Sequence, residues 1–210
     1  LRTFVLYSRT VGPGRTLGRV RFSVAHELAH YYLHRDYLLA GHSHDSQADF
    51  RSRDPREQEA DEFAARFLMP EELFVREVRR FRQRVCTLAE LCQLADVVFR
   101  TSLMSTARRY CQCDIEPCCV VVSERGKVKW AVMSDEIQRL GLSFIEFGVP
   151  VPRLSTTNAL WQTVDEARGP LESEVCASVW FNRPSRSRLW EETMPLGRTG
   201  LSITYLTIAD

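Results

Sequence analysis

His26-Glu27-Leu28-Ala29-His30 spells H-E-x-x-H, and only a helix lets that spacing do chemistry. Residues four apart on an α-helix sit one turn above each other, so the imidazoles of His26 and His30 reach one metal ion. Glu27 stands roughly 100° round the helix from His26, off the ligand position but within reach of a water beside that ion. The five residues thus supply two ligands and a general base. Hydrolytic zinc asks in addition for a third protein ligand and an open fourth position. A bare H-E-x-x-H also occurs in ordinary surface helices. Here Phe22, Val24 and Ala25 precede it and Leu33 follows, so the helix reads as partly buried.

A second helix is expected from Asp54, a capping residue, with Pro55 suited to the first helical position. Ala60, Phe63, Ala64, Phe67 and Leu68 give it one apolar stripe. Glu57 and Asp61 are i and i+4 on this helix, so they share a face. Glu57 is the candidate third ligand, and Asp61 is placed to accept a histidine N–H behind the ligands. Glu57 also stands where an acidic residue simply offsets the helix dipole. Glu59, His42, His44 and Asp45 are its rivals. His34 follows His30 by four residues, but eight residues from His26 rise about 12 Å, too far for one ion. It reads as a residue behind the ligands, one facing substrate, or a packed histidine; Tyr31 is a further substrate-facing candidate.

The texture of the chain changes once. Residues 4–7 read as a strand and Gly12 to Gly18 as a loop, with the H-E-x-x-H helix running from an N-cap at Ser23 to about Arg35. Polar residues 40–54 read as a loop. Pro70 ends the second helix and opens a third, to about Arg84. Thr87 and Glu90 form a capping-box pattern for a short helix, and another is expected from Ser102 to Tyr110. After residue 114 come strands: Cys118 to Ser123 and Lys127 to Val132 around Glu124-Arg125-Gly126, then Val175 to Phe181, Arg188 to Thr193 and Leu201 to Ile208. The last fits a sheet covered on both faces. The expected fold is α+β, with a helical domain over 1–112 and a mainly β or α/β domain, possible site of regulation, over 113–210. Within the first, residues 71–112 form a helix-turn-helix-like segment.

Composition removes several functions. A net charge of +1 gives no field that would draw nucleic acid or an acidic partner. No apolar run approaches the length that spans a bilayer. The 7 cysteines are odd in number and unevenly spread, which fits reduced thiols in a cytosol better than a disulfide framework. Cys111, Cys113, Cys118 and Cys119 cluster as C-x-C-x4-C-C, not as the C-x-x-C pairs of a structural zinc site. The start at Leu1 reads as a missing N-terminal segment. Arg100, Arg108 and Arg109 could serve a recognition helix, but the chain lacks the basic footprint of a DNA-binding domain, so a packed helical layer is expected instead. Arg76, Arg79, Arg80, Arg82 and Arg84 read as a solvated face, and Trp130, Trp161, Trp180 and Phe181 as core of the β region.

The stretch Arg21-Phe22-Ser23-Val24-Ala25-His26-Glu27-Leu28-Ala29-His30-Tyr31-Tyr32-Leu33-His34, followed by Glu57 to Pro70, resembles the ImmA/IrrE family of bacterial metallopeptidases. That family's pattern is R-F-S/T-x-A-H-E-x-x-H-x-x-x-H, then E-x-x-A-N/D-x-F-A-A-x-x-L-M-P. Ala29 departs from the usual Gly, one small residue for another. The resemblance covers about residues 19 to 110 and is looser beyond. It implies a gluzincin-like fold with zinc held by His26, His30 and Glu57. It also implies a substrate, a helix-turn-helix repressor whose cleavage derepresses genes. The alternative is a non-catalytic zinc-fold binding module or antirepressor acting by protein contact; the intact Glu27 argues against it, since a pure binder has no use for a general base.

Overall fold

The computed structural model describes residues 17–39, 54–81, 86–162, 170–182, 185–197 and 200–209. The strand expected at residues 4–7, the loop rivals His42, His44 and Asp45, and Arg82 and Arg84 lie outside them. Helices and an antiparallel sheet make an α+β fold. The helices are α1 (Leu17–Leu33), α2 (Arg35–Leu39), α3 (Pro55–Leu68), α4 (Glu71–Phe81), α5 (Leu88–Gln93), α6 (Leu103–Gln112), α7 (Asp135–Arg139) and α8 (Thr156–Gln162). A π-helical segment, Leu94–Phe99, follows α5. The chain divides into two compact units, residues 1–80 with 92–106, and residues 81–91 with 107–210.

In the first unit α1 packs along α3. Phe22, Ala25, His26, Ala29 and His30 are buried on α1, and Glu57, Ala60, Asp61, Ala64 and Ala65 on α3. Ala29, Ala60 and Ala64 are fully covered; side chains this small let two helices approach while imidazoles and carboxylates fill the remaining space. Asp54 caps α3 by accepting from the Arg56 N–H at 3.0 Å, with Pro55 in the first turn as expected.

α1 begins at Leu17, six residues before Ser23, which therefore lies inside the helix rather than capping it. The reason is tertiary. A Cβ on Gly18 would come within 2.3 Å of the Thr101 carbonyl carbon, so this glycine serves a close approach between helix and backbone, not a loop. Arg21 completes the contact: its Nη1 donates to the Phe99 and Arg100 carbonyls at 2.6 and 3.0 Å. These are carbonyls that the end of the π segment leaves over, where Arg100 turns left-handed at φ 51°.

The second unit holds β1 (Cys118–Glu124), β2 (Lys127–Met133), β3 (Leu171–Cys176), β4 (Arg188–Pro195) and β5 (Leu201–Ile208). They form one antiparallel sheet in the order β2-β1-β5-β4-β3. Arg125 and Gly126 both have positive φ, the backbone of a tight hairpin turn between β1 and β2. β5 is covered on both faces. One face carries Cys119, Val121, Leu189 and Leu206, packed with Trp180, Phe181 and Ile137. On the other, Tyr110 and Tyr205 meet edge to face, and both hydroxyls donate to Glu116 Oε1 at 2.8 and 2.7 Å. Thr87 and Glu90 bond reciprocally as a capping box.

The strand expected at Val175 to Phe181 is displaced. β3 starts at Leu171, and Ala177–Val179 form a 3-10 turn that drops Trp180 and Phe181 into the core. Leu171 to Glu174 are too polar to stand out as a strand because β3 is a sheet edge. Among the described residues no helix is long and apolar enough to cross a membrane.

Candidate metal centre

His26 and His30 project from successive turns of α1 toward Glu57 in the first turn of α3. The two Nε2 atoms stand 3.1 Å apart. Glu57 Oε2 lies 3.2 Å from Nε2 of His26, and Glu57 Oε1 lies 3.3 Å from Nε2 of His30. All three residues are buried.

The other ring nitrogens are engaged as well. His26 Nδ1 lies 2.8 Å from Asp61 Oδ1, a buried carboxylate. A carboxylate only accepts, so His26 carries its proton on Nδ1 and turns the Nε2 lone pair toward Glu57 and His30. His30 Nδ1 lies 2.9 Å from His34 Nδ1, and His34 Nε2 lies 3.0 Å from Glu59 Oε2. Burial works against protonation of His26, yet the hydrogen bond and charge of Asp61, with Glu57 and Glu27, outweigh it and raise its pKa.

This donor set fits a small divalent cation. Two imidazole lone pairs and a carboxylate converge in a buried space, which is repulsive unless a positive charge sits among them. At metal–nitrogen distances near 2.05 Å, tetrahedral geometry separates neighbouring ligand atoms by about 3.3 Å. The two Nε2 atoms, 3.1 Å apart, come close to that edge, and each faces a different oxygen of Glu57, at 3.2 and 3.3 Å. Among the described residues this is the one group of three His, Cys, Asp or Glu side chains so arranged.

Glu27 is half-buried, close enough to contribute to the field at His26. Tyr31 is half-buried against Tyr32, with the Arg35 guanidinium 6.0 Å above its ring. Glu59, the rival third ligand, stands outside the trio and bonds His34 instead. Sequence reasoning missed that pair, since nothing local marks a residue just past the end of α1 as a partner of α3. It missed Arg21 as well, although its place before Phe22 was in plain view. The cysteine cluster is resolved into sheet and helix: Cys118 Sγ sits 3.6 Å from Cys111 Sγ. That contact and burial push the Cys118 thiol up, and burial does the same to Cys86 and Cys119, so these are protonated, packed thiols.

Residues 11–109 match the family described as the IrrE N-terminal-like domain, Peptidase_M78. Over these residues, just under half of the chain, it is similar to the ImmA/IrrE metallopeptidase family. The buried His-His-Glu group lies inside this matched stretch and fits the metal ion that a metallopeptidase family implies. No curated protein matches the chain. Among solved structures, a Mycobacterium tuberculosis transcriptional regulator is similar over 91% of this chain, at 14% sequence identity and a TM-score of 0.56. That likeness is one of fold. The chain spans 64% of the regulator's length.

Proposed function

We propose that this chain is a zinc-dependent endopeptidase that cuts a regulatory protein, with a helix-turn-helix repressor as substrate and derepression of genes as the outcome. The reading places the metal on Nε2 of His26, Nε2 of His30 and the Glu57 carboxylate. The observation that carries it is the convergence of those atoms at 3.1 to 3.3 Å, with His26 anchored from behind by Asp61. Ligation by two imidazoles and one carboxylate, joined to hydrolysis, favours zinc over harder divalent ions.

A bound zinc supplies a Lewis acid that polarises the scissile carbonyl and makes a water more acidic. Glu27, one residue from a ligand but off the ligand face, takes the proton from the attacking water. It returns that proton to the leaving amine nitrogen as the peptide bond breaks. Asp61 holds the His26 ring so that its Nε2 stays aimed at the ion. The family match and the likeness in fold to a protein described as a transcriptional regulator are compatible with a substrate that controls transcription. A cytosolic location goes with such a substrate.

A reporter strain carrying a helix-turn-helix repressor tests this. Wild type should relieve repression and leave repressor fragments, whereas Glu27→Gln should leave the repressor whole and the reporter silent. Relief by Glu27→Gln equal to wild type, with the repressor uncut, would instead establish the contact-only antirepressor.

A further inference from the structure

Two histidines of α1, and His34 just past its end, each face a carboxylate of α3. His26 has Asp61, His30 faces Glu57, and His34 has Glu59. The third pair lies outside the proposed ligand set and meets it ring nitrogen to ring nitrogen, His34 Nδ1 to His30 Nδ1 at 2.9 Å. A contact that short between two ring nitrogens needs one donor and one acceptor.

Resting on the zinc reading above, we propose that Glu59 is a positioning residue for the metal ligand His30, acting through the tautomer of His34. If His30 offers its Nε2 lone pair to a metal, its proton sits on Nδ1 and points at His34 Nδ1. His34 must then accept there and carry its own proton on Nε2. That N–H faces Glu59 Oε2 at 3.0 Å, an atom that can only accept. The opposite tautomer of His34 would set two N–H groups against each other at one end and a lone pair against a carboxylate at the other. Glu59 therefore selects the one arrangement that leaves His30 ready to bind.

The two ligands are thus held differently. His26 meets its carboxylate directly and under cover. His30 reaches one only through a second imidazole, and the Glu59 side chain is 61% exposed while that of His34 is 7% exposed. A side chain as open as Glu59 contributes little to packing, so its removal reads out the hydrogen-bond chain and not the fold. Glu59 is thus the solvent-exposed end of the chain of hydrogen bonds, whereas Asp61 is buried.

The test uses the whole chain, with zinc as the probe. Zinc affinity is measured by competition with a chromophoric chelator, and ring-nitrogen chemical shifts give the His34 tautomer in metal-free protein. Glu59→Ala should weaken zinc binding about tenfold and shift the His34 proton off Nε2. Glu59→Gln, whose amide oxygen still accepts, should keep most of the affinity. His34→Gln offers His30 an amide oxygen directly, so adding Glu59→Ala to it should change the affinity no further. Glu62→Ala removes the same charge from the same helix and should leave affinity unchanged.

Unchanged affinity and an unchanged His34 tautomer in Glu59→Ala would overturn the proposal. So would a tenfold loss that persists in the His34→Gln background, because Glu59 would then act by charge alone. Failure of wild type to bind zinc would defeat the metal reading itself, a separate outcome, and the tautomer in metal-free protein still decides the role of Glu59.

Discussion

Asp61 Oδ1 lies 2.8 Å from His26 Nδ1, while the opposite nitrogen of the same ring faces Glu57 at 3.2 Å. One imidazole is therefore held between two carboxylates of α3 separated by a single helical turn. Its orientation is fixed before any metal arrives. Asp61→Ala should lower zinc affinity roughly 10- to 100-fold, the range for losing the partner of a ligating histidine. Chelator competition measures it, and an affinity equal to wild type would show that His26 needs no anchor.

Glu27 is assigned to proton transfer and not to ligation. Glu27→Gln should keep zinc stoichiometry and slow peptide cleavage at least about 100-fold, within the usual range for losing a general base. Stoichiometry by elemental mass spectrometry and cleavage by intact-mass spectrometry separate the two roles. Loss of zinc in this variant would move Glu27 into the ligand set.

At most helix positions Gly→Ala stabilises by up to about 1 kcal/mol. Gly18→Ala should do the reverse. Its Cβ would meet Thr101 backbone atoms at 2.3 and 2.5 Å, and backbone cannot swing aside as a side chain can. A loss of roughly 1–3 kcal/mol is expected from such overpacking, visible as a lower urea midpoint. A higher midpoint would mean that α1 does not press on this turn.

Much of this was readable from the chain. The Asp54–Pro55 start of α3 and the Thr87–Glu90 box are local signals, each made by side chains bonding backbone within three residues. Arg125-Gly126 announced its hairpin because few residues other than glycine take positive φ cheaply. H-E-x-x-H and the Glu57–Asp61 spacing put the right atoms on one face of each helix, and the structure brings those faces together. What escaped depends on distant packing. Gly18 looks like a loop signal until Thr101 is beside it. The π segment at Leu94–Phe99 ends in carbonyls that Arg21 satisfies from across the unit. Leu171 to Glu174 form an edge strand whose polarity hides it, and the His34–Glu59 pair joins residues 25 apart in the chain.

Glu192 offers a test in pH. It is buried on β4, where its Oε2 accepts from the Leu88 N–H at 2.9 Å and Glu172 sits opposite on β3. Burial raises its pKa above the ordinary 4.5, and the charge of Glu172 adds to that. A carboxyl with a raised folded-state pKa favours the fold when protonated. Its contribution is fully present below the unfolded value and is lost as pH rises through the folded one. Glu192→Gln keeps an oxygen for Leu88 and removes the charge, so it should raise the melting temperature at pH 7 and leave it unchanged near pH 4. Equal melting temperatures for the two proteins at pH 7 would mean that the buried charge costs nothing.

The most direct test of the metal centre is the zinc content of the purified chain beside His30→Ala and Glu57→Ala. One zinc per chain in wild type, lost in both variants, is the predicted result. A full equivalent of zinc retained by Glu57→Ala, or none in wild type after zinc is supplied at neutral pH, would contradict it.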